Sequence, residues 1–97
     1  MQVEMKFPSG ALCSRAAAHV YMSVLMDHLS DSTIDTIIID FELVDVMSYC
    51  YVDECIGIPV LVFGFDTFKS KVKLLNMNSS VGVQVARVIR DRISQSH

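Results

Sequence analysis

The sequence predicts an α/β sandwich: one mixed sheet of about four strands, an opening hairpin followed by βαβα, with helices mainly on one face. Three observations lead there. An N-terminal segment alternating at period two is broken by Pro8-Ser9-Gly10, a β-branched run occupies residues 36–41, and apolar residues at helical spacing fill a stretch on either side of that run. The 97 residues, 52% hydrophobic and 20% charged, suit a single domain spanning 1–97 and leave no room for a second.

Val3-Glu4-Met5-Lys6-Phe7 alternates as a strand, and Ala11-Leu12-Cys13 reads as its short returning partner. Ser14 is a good N-cap for a helix reaching Leu29, with Ala18, Met22, Leu25 and Leu29 on one face. Ser30-Asp31-Ser32 ends it. Thr36-Ile37-Ile38-Ile39-Asp40-Phe41 shows no alternation, as expected of a central strand covered on both faces. Residues 43–68 fit two readings: 56–63 has the apolar density of a buried strand, while Tyr51, Glu54, Cys55 and Ile58 also fit a helical face. Pro59 suits neither a helix interior nor a central strand. Lys71-Val72-Lys73-Leu74-Leu75 alternates, with Lys69, Lys71 and Lys73 on one side, predicting a strand with a wet face or at a sheet edge. The last helix, from about Ser80 to Ile93, places Gly82, Val85, Ala86, Ile89 and Ile93 on one face and Arg87 and Arg90 on the other.

Charge is unevenly distributed along this frame. Residues 1–15 carry +1, residues 16–68 carry −9 with no Lys or Arg, and residues 69–97 carry +5, which sum to −3. Such polarity points to a partner or to self-pairing, because a nucleic-acid binder needs its positive charge to dominate. The Lys and Arg side chains of the tail have no interleaved aromatics and no helix-turn-helix spacing, so no nucleic-acid partner is expected. The apolar runs fall short of a membrane span, and three cysteines, an odd number, with no signal-like segment at the start, lead us to expect a reducing, cytoplasmic setting.

Catalytic and metal readings are weak. Asp53 and Glu54 are adjacent and diverge by about 100° on a helix, so they do not form a facing carboxylate pair. His19 and His28 are nine residues apart, about 180° around the first helix, and cannot share a metal. There is no Cys-x-x-Cys and no His-x-x-x-His, and Cys13, Cys50 and Cys55 read as small core residues. No enzyme, no metal and no cofactor is expected. Arg15 is the lone cation between Lys6 and Lys69, and either an ion pair with Asp40 or Asp53 or a binding role suits it.

Four short motifs in order resemble the STAS-like domains of unknown function, relatives of the sulfate-transporter and anti-sigma-factor-antagonist domains. Ser14-Arg15-Ala16-Ala17-Ala18 resembles Ser-Arg-x-x-Ala at the start of the first helix. Asp40-Phe41-Glu42-Leu43-Val44 resembles Asp-Phe-x-x-Val at the exit of the central strand. Met47 to Glu54 resembles a stretch ending Phe-Ala-Asp-Glu, and Asn76-Met77-Asn78-Ser79-Ser80-Val81 matches Asn-x-Asn-x-x-Val before the last helix. The resemblance spans roughly residues 12–93. It implies a STAS-like fold, a helix near 49–63 with Asp53-Glu54 at its start, and a non-catalytic regulatory module that binds a GHKL-type ATPase or histidine-kinase-like protein, as anti-sigma antagonists do. Its contact surface would comprise Arg15, Ser48, Tyr49, Tyr51, Asp53, Glu54, Asn76 and Asn78. Ser48 stands where the family often has Gly, and Tyr49-Cys50 occupies the positions where antagonists carry the phosphorylated Ser, so phosphoswitching is not simply transferred. Ser48 is the first candidate phosphoacceptor and Tyr49 the second, against a plain capping role; turn and cap chemistry equally accounts for Asn76 and Asn78. The alternative function is a self-associating structural subunit, paired through its opposite charges or its half-covered sheet.

Overall fold

A computed structural model describes residues 1–95. Its elements are β1 (Gln2–Lys6), β2 (Gly10–Leu12), α1 (Arg15–Ser30), β3 (Thr36–Asp40), β4 (Val44–Met47), α2 (Tyr49–Val52), a π-helical segment (Asp53–Gly57), α3 (Ile58–Phe63), α4 (Phe65–Lys71), β5 (Val72–Leu75) and α5 (Ser79–Gln95). The α/β class is as expected, but the sheet is not one mixed sheet of four strands. There are two parallel sheets, β1-β3-β5 and β2-β4.

The expected opening hairpin does not form. Pro8 has no N–H to continue the ladder, Phe7 still pairs with Asp40 O at 3.3 Å, and Gly10, at φ 96, turns the chain onward rather than back. Gly10 N–H then reaches Leu43 O at 3.1 Å, and β2 runs parallel to β4 with Leu12 opposite Met47. Both of those side chains are buried. The exit of the central strand thus holds a strand of its own. A tight turn feeds it, in which Asp40 Oδ1 accepts Glu42 N–H at 2.9 Å and Phe41 O accepts Val44 N–H at 3.0 Å.

β3 is central as expected, although only one face is deeply covered. Val3, Ile37 and Val72 align across the three strands, followed by Met5, Ile39 and Leu74, and this face joins the core with Ala18, Leu25 and Leu29 of α1. Glu4, Ile38 and Lys73 align on the opposite, wetter face. Lys73 is the one lysine of the expected stripe on the edge strand. Lys69 and Lys71 belong to α4, and Lys71 Nζ donates to Leu29 O (3.3 Å) and Asp31 O (3.2 Å) at the C-terminal end of α1, where a cation is favoured.

Residues 49–63 are helical, and the π-helical segment resolves the strain expected at Pro59. Ile58 N–H reaches back five residues to Asp53 O, so the ladder is already out of α register where the proline ring would otherwise meet a carbonyl. Val52, Cys55, Ile56 and Val60 enter the core, whereas Leu61 and Val62 face solvent; those two outward residues gave the segment its strand-like density. Gly64, at φ 88, ends α3 and starts α4.

α5 is rotated from the expected face. Its buried stripe is Val81, Val85 and Val88, while Ala86, Ile89 and Ile93 line a groove of about 360 Å³ with Phe65 and Arg90.

Two glycines give opposite expectations. A Cβ on Gly57 would lie 2.6 Å from Asp53 Oδ1 and 2.8 Å from Val88 Cγ1, whereas one on Gly82 meets nothing within 4 Å. Gly57→Ala is therefore expected to destabilise by about 1–3 kcal/mol and Gly82→Ala to stabilise by about 0.5–1 kcal/mol, as read from urea unfolding midpoints.

Candidate functional site

The site grows from the junction of β4 and α2. Ser48 follows β4 and caps α2: its Oγ accepts Tyr51 N–H at 3.1 Å and donates to Cys13 O at 3.1 Å, while its own N–H reaches Leu12 O at 2.9 Å. One serine thus ties the end of β2 to the start of α2.

Asp53 and Glu54 lie beyond α2, inside the π-helical segment, and so do not mark the helix start as expected. They are 6% and 9% exposed, too buried for unpaired carboxylates. Arg92 of α5 grips Asp53 with two hydrogen bonds of 2.7 Å, Nε to Oδ1 and a terminal nitrogen to Oδ2. Arg15 of α1 donates to Asp53 Oδ2 at 3.2 Å and to Glu54 Oε1 at 3.0 Å. His19 Nδ1 lies 2.8 Å from Glu54 Oε2. The two carboxylates converge on one guanidinium although they point in different directions along the helix. Arg15 therefore forms the ion pair expected with Asp53, while Asp40 instead accepts Asn76 Nδ2 at 3.0 Å.

Electrostatics follow this geometry. Arg92 bonding, joined by Arg15, holds the Asp53 carboxyl below its ordinary value despite the opposing effect of burial. His19, then Arg15, does the same for Glu54. Both guanidiniums are pushed up in turn. At the flank of the cluster Tyr49 OH donates to Asp91 at 2.6 Å, which raises its phenol pKa. Each carboxylate has its charge met, so the cluster works as a clamp between α1, the π-helical segment and α5. Among the described residues no buried side-chain polar atom lacks a hydrogen-bond partner, and no group of three or more His, Cys, Asp or Glu is placed to hold a metal.

The other residues expected at the contact surface are drawn into structure. Tyr51 is in the core beside Phe7, with ring centroids 5.9 Å apart. Asn78 caps α5 by accepting Val81 N–H at 2.9 Å and donates to Val44 O and Asp45 O, binding the free edge of β4. Asn76 holds φ 62, a left-handed conformation that asparagine tolerates. Arg15, Ser48, Tyr49, Asp53 and Glu54 are brought together; Asn76 and Asn78 sit on the other side of β4.

Sequence reasoning missed Arg92, Gly57, Asp91 and the pairing of His19. Arg92 was detectable, because it continues the buried stripe Val81, Val85, Val88 at helical spacing, and a cation on a core stripe calls for a buried carboxylate. His19 follows Arg15 by one helical turn. Gly57 carried no such signal.

Asp53→Asn should cost about 3 kcal/mol at neutral pH, since it leaves Arg92 without its charge partner. The depressed carboxyl contributes stability that is present above its ordinary value of 3.8 and lost as pH falls through the folded value. The variant should therefore lose less stability than the native chain on acidification below about pH 4, in paired denaturant titrations.

No curated protein and no solved structure matches the chain. Residues 24–81 match a protein-family model, and that span takes in Asp53 and Glu54 while their partners Arg15, His19 and Arg92 lie outside it. A match over more than half of the chain places this protein in the family described as the STAS-like domain of unknown function (DUF4325).

Proposed function

We propose that the domain is a non-catalytic, cytoplasmic regulatory module that docks on a protein partner and shifts its state. The partner class is the GHKL-type ATPase or histidine-kinase-like protein that the STAS relationship suggests. One observation carries the reading: β4 and the turn that feeds it expose large apolar side chains that the fold does not use. Leu43 is 48% exposed and Val46 43%. Exposed apolar side chains on one short strand of a small domain suit a protein interface better than bulk water. Ser48 supplies the switch point. A phosphate on its Oγ would remove the hydroxyl proton donated to Cys13 O and repel that carbonyl, while its oxygens would still accept the Tyr51 N–H, releasing the loop before α1 from α2.

Co-expression with an ATPase encoded beside this chain tests the reading. The native domain should retain the ATPase in a pull-down. Val46→Asp and Leu43→Asp should each weaken retention at least about tenfold while shifting stability by no more than about 0.5 kcal/mol. Retention unaffected by either change would move the interface elsewhere, and no retention by the native domain would overturn the partner class.

Self-association is the second reading, favoured by the aligned row Glu4, Ile38, Lys73 on the open sheet face. A two-fold axis through Ile38 would set Glu4 of each copy against Lys73 of the other. Light scattering should then show a dimer at low salt that Lys73→Glu and high salt both dissolve; a monomer at low salt removes this reading.

A further inference from the structure

Two of the three cysteines, Cys13 and Cys50, are exposed, and the cores of both sheets leave them unused. Cys13 follows β2 and Cys50 lies in the first turn of α2, two residues beyond Ser48. The Leu12–Met47 pairing, the Ser48 N–H bond to Leu12 O (2.9 Å) and the Ser48 Oγ bond to Cys13 O (3.1 Å) join the two segments. Arg15, two residues after Cys13, serves Asp53 and Glu54, and the Cys50 side chain joins them in pushing its guanidinium pKa up. We propose that Cys13 and Cys50 form a dithiol that a hydroperoxide oxidises to a disulfide, with Cys50, beside Arg15, attacking first.

The chemistry balances with peroxide as the oxidant. The Cys50 thiolate attacks one peroxide oxygen; an S–O bond forms, the O–O bond breaks, and the departing oxyanion takes up a proton as alcohol or water. The Cys13 thiolate then attacks the sulfenic sulfur, forming the S–S bond, and hydroxide leaves and is protonated to water. Two electrons pass from the thiols to the peroxide. Closure draws residues 13–14 toward α2 and costs the Ser48 bond to Cys13 O, so oxidation opens the tie between β2 and α2. This inference concerns the tie itself and holds whichever partner docks. Cys55 is the internal control: it is buried, its Sγ lies against Val52 O at 3.8 Å, and desolvation pushes its thiol up out of the reactive range.

The test counts thiols on the full chain. A chromogenic disulfide should react quickly with two thiols in the folded protein and with the third only after denaturation. One equivalent of hydrogen peroxide should reduce the quick thiols from two to none, with loss of two hydrogens in intact mass and full recovery by dithiothreitol. Cys13→Ser should instead accumulate a dimedone-reactive sulfenic acid at Cys50, and Cys50→Ser should block the mass loss. Both variants replace exposed side chains and should fold normally, which circular dichroism checks. Oxygen adducts on the native chain without hydrogen loss, intermolecular dimers alone, or first oxidation at Cys13 would overturn the proposal.

Discussion

A carboxylate cannot be buried by itself, and Asp53 makes that constraint structural. Leaving water costs an ion several kcal/mol unless matched charge and hydrogen bonds replace the solvent. Asp53 obtains them from Arg92 at 2.7 Å and Arg15 at 3.2 Å, residues from the last and first helices. Both helices must therefore lie against the π-helical segment at set distances. Gly57 makes that approach possible, because the space a side chain would take is already filled by Asp53 Oδ1 and Val88 Cγ1. The small residue and the charged one are two parts of a single contact between α5 and the middle of the chain.

The π-helical segment serves the same contact. Its wider turn aims Asp53 toward α5 and Glu54 toward α1, and shifts the hydrogen-bond ladder before Pro59. The expected penalty at Pro59 assumed a regular α-helix. A proline that looked like a conflict between helix and strand instead follows a local change of helical register.

Local patterns made much of the fold legible. Ser14 as a cap, the Ala18-Leu25-Leu29 face and the β-branched central strand each follow from neighbours in sequence, and each is present. What failed was non-local. Nothing near Ala11 says that its partner strand is Val44–Met47 rather than Val3–Phe7, because parallel pairing is decided by residues over 30 positions away. The α5 face was misjudged for a related reason: α5 carries more apolar residues than one stripe needs, and Val81, Val85, Val88 and Arg92 were chosen by what Asp53 required. At the site, capping by Ser48 and Asn78 could be read from residue type, but the depth of Asp53 and Glu54 could not, since acids are ordinarily exposed.

The uneven charge of the sequence takes on a different meaning in the fold. Read linearly, an acidic middle and a basic tail suggest two opposed surfaces. In three dimensions part of that opposition is spent inside the molecule: Asp53 pairs with Arg92 of the tail, Glu54 with Arg15, and Lys71 closes the end of α1 beside Asp31. Two of the nine midsection acids never reach the surface as free charge, and two of the six tail bases are committed to holding other segments. The field available to a partner is smaller than the count implies, and salt screens what remains within about 10 Å. The recognition proposed for the β4 corner would then draw mainly on the apolar Leu43 and Val46, with charge guiding approach rather than supplying affinity. An interface of that kind depends on the underlying backbone staying in place, and at this corner the backbone is held by Ser48 and Asn78, each through its side chain.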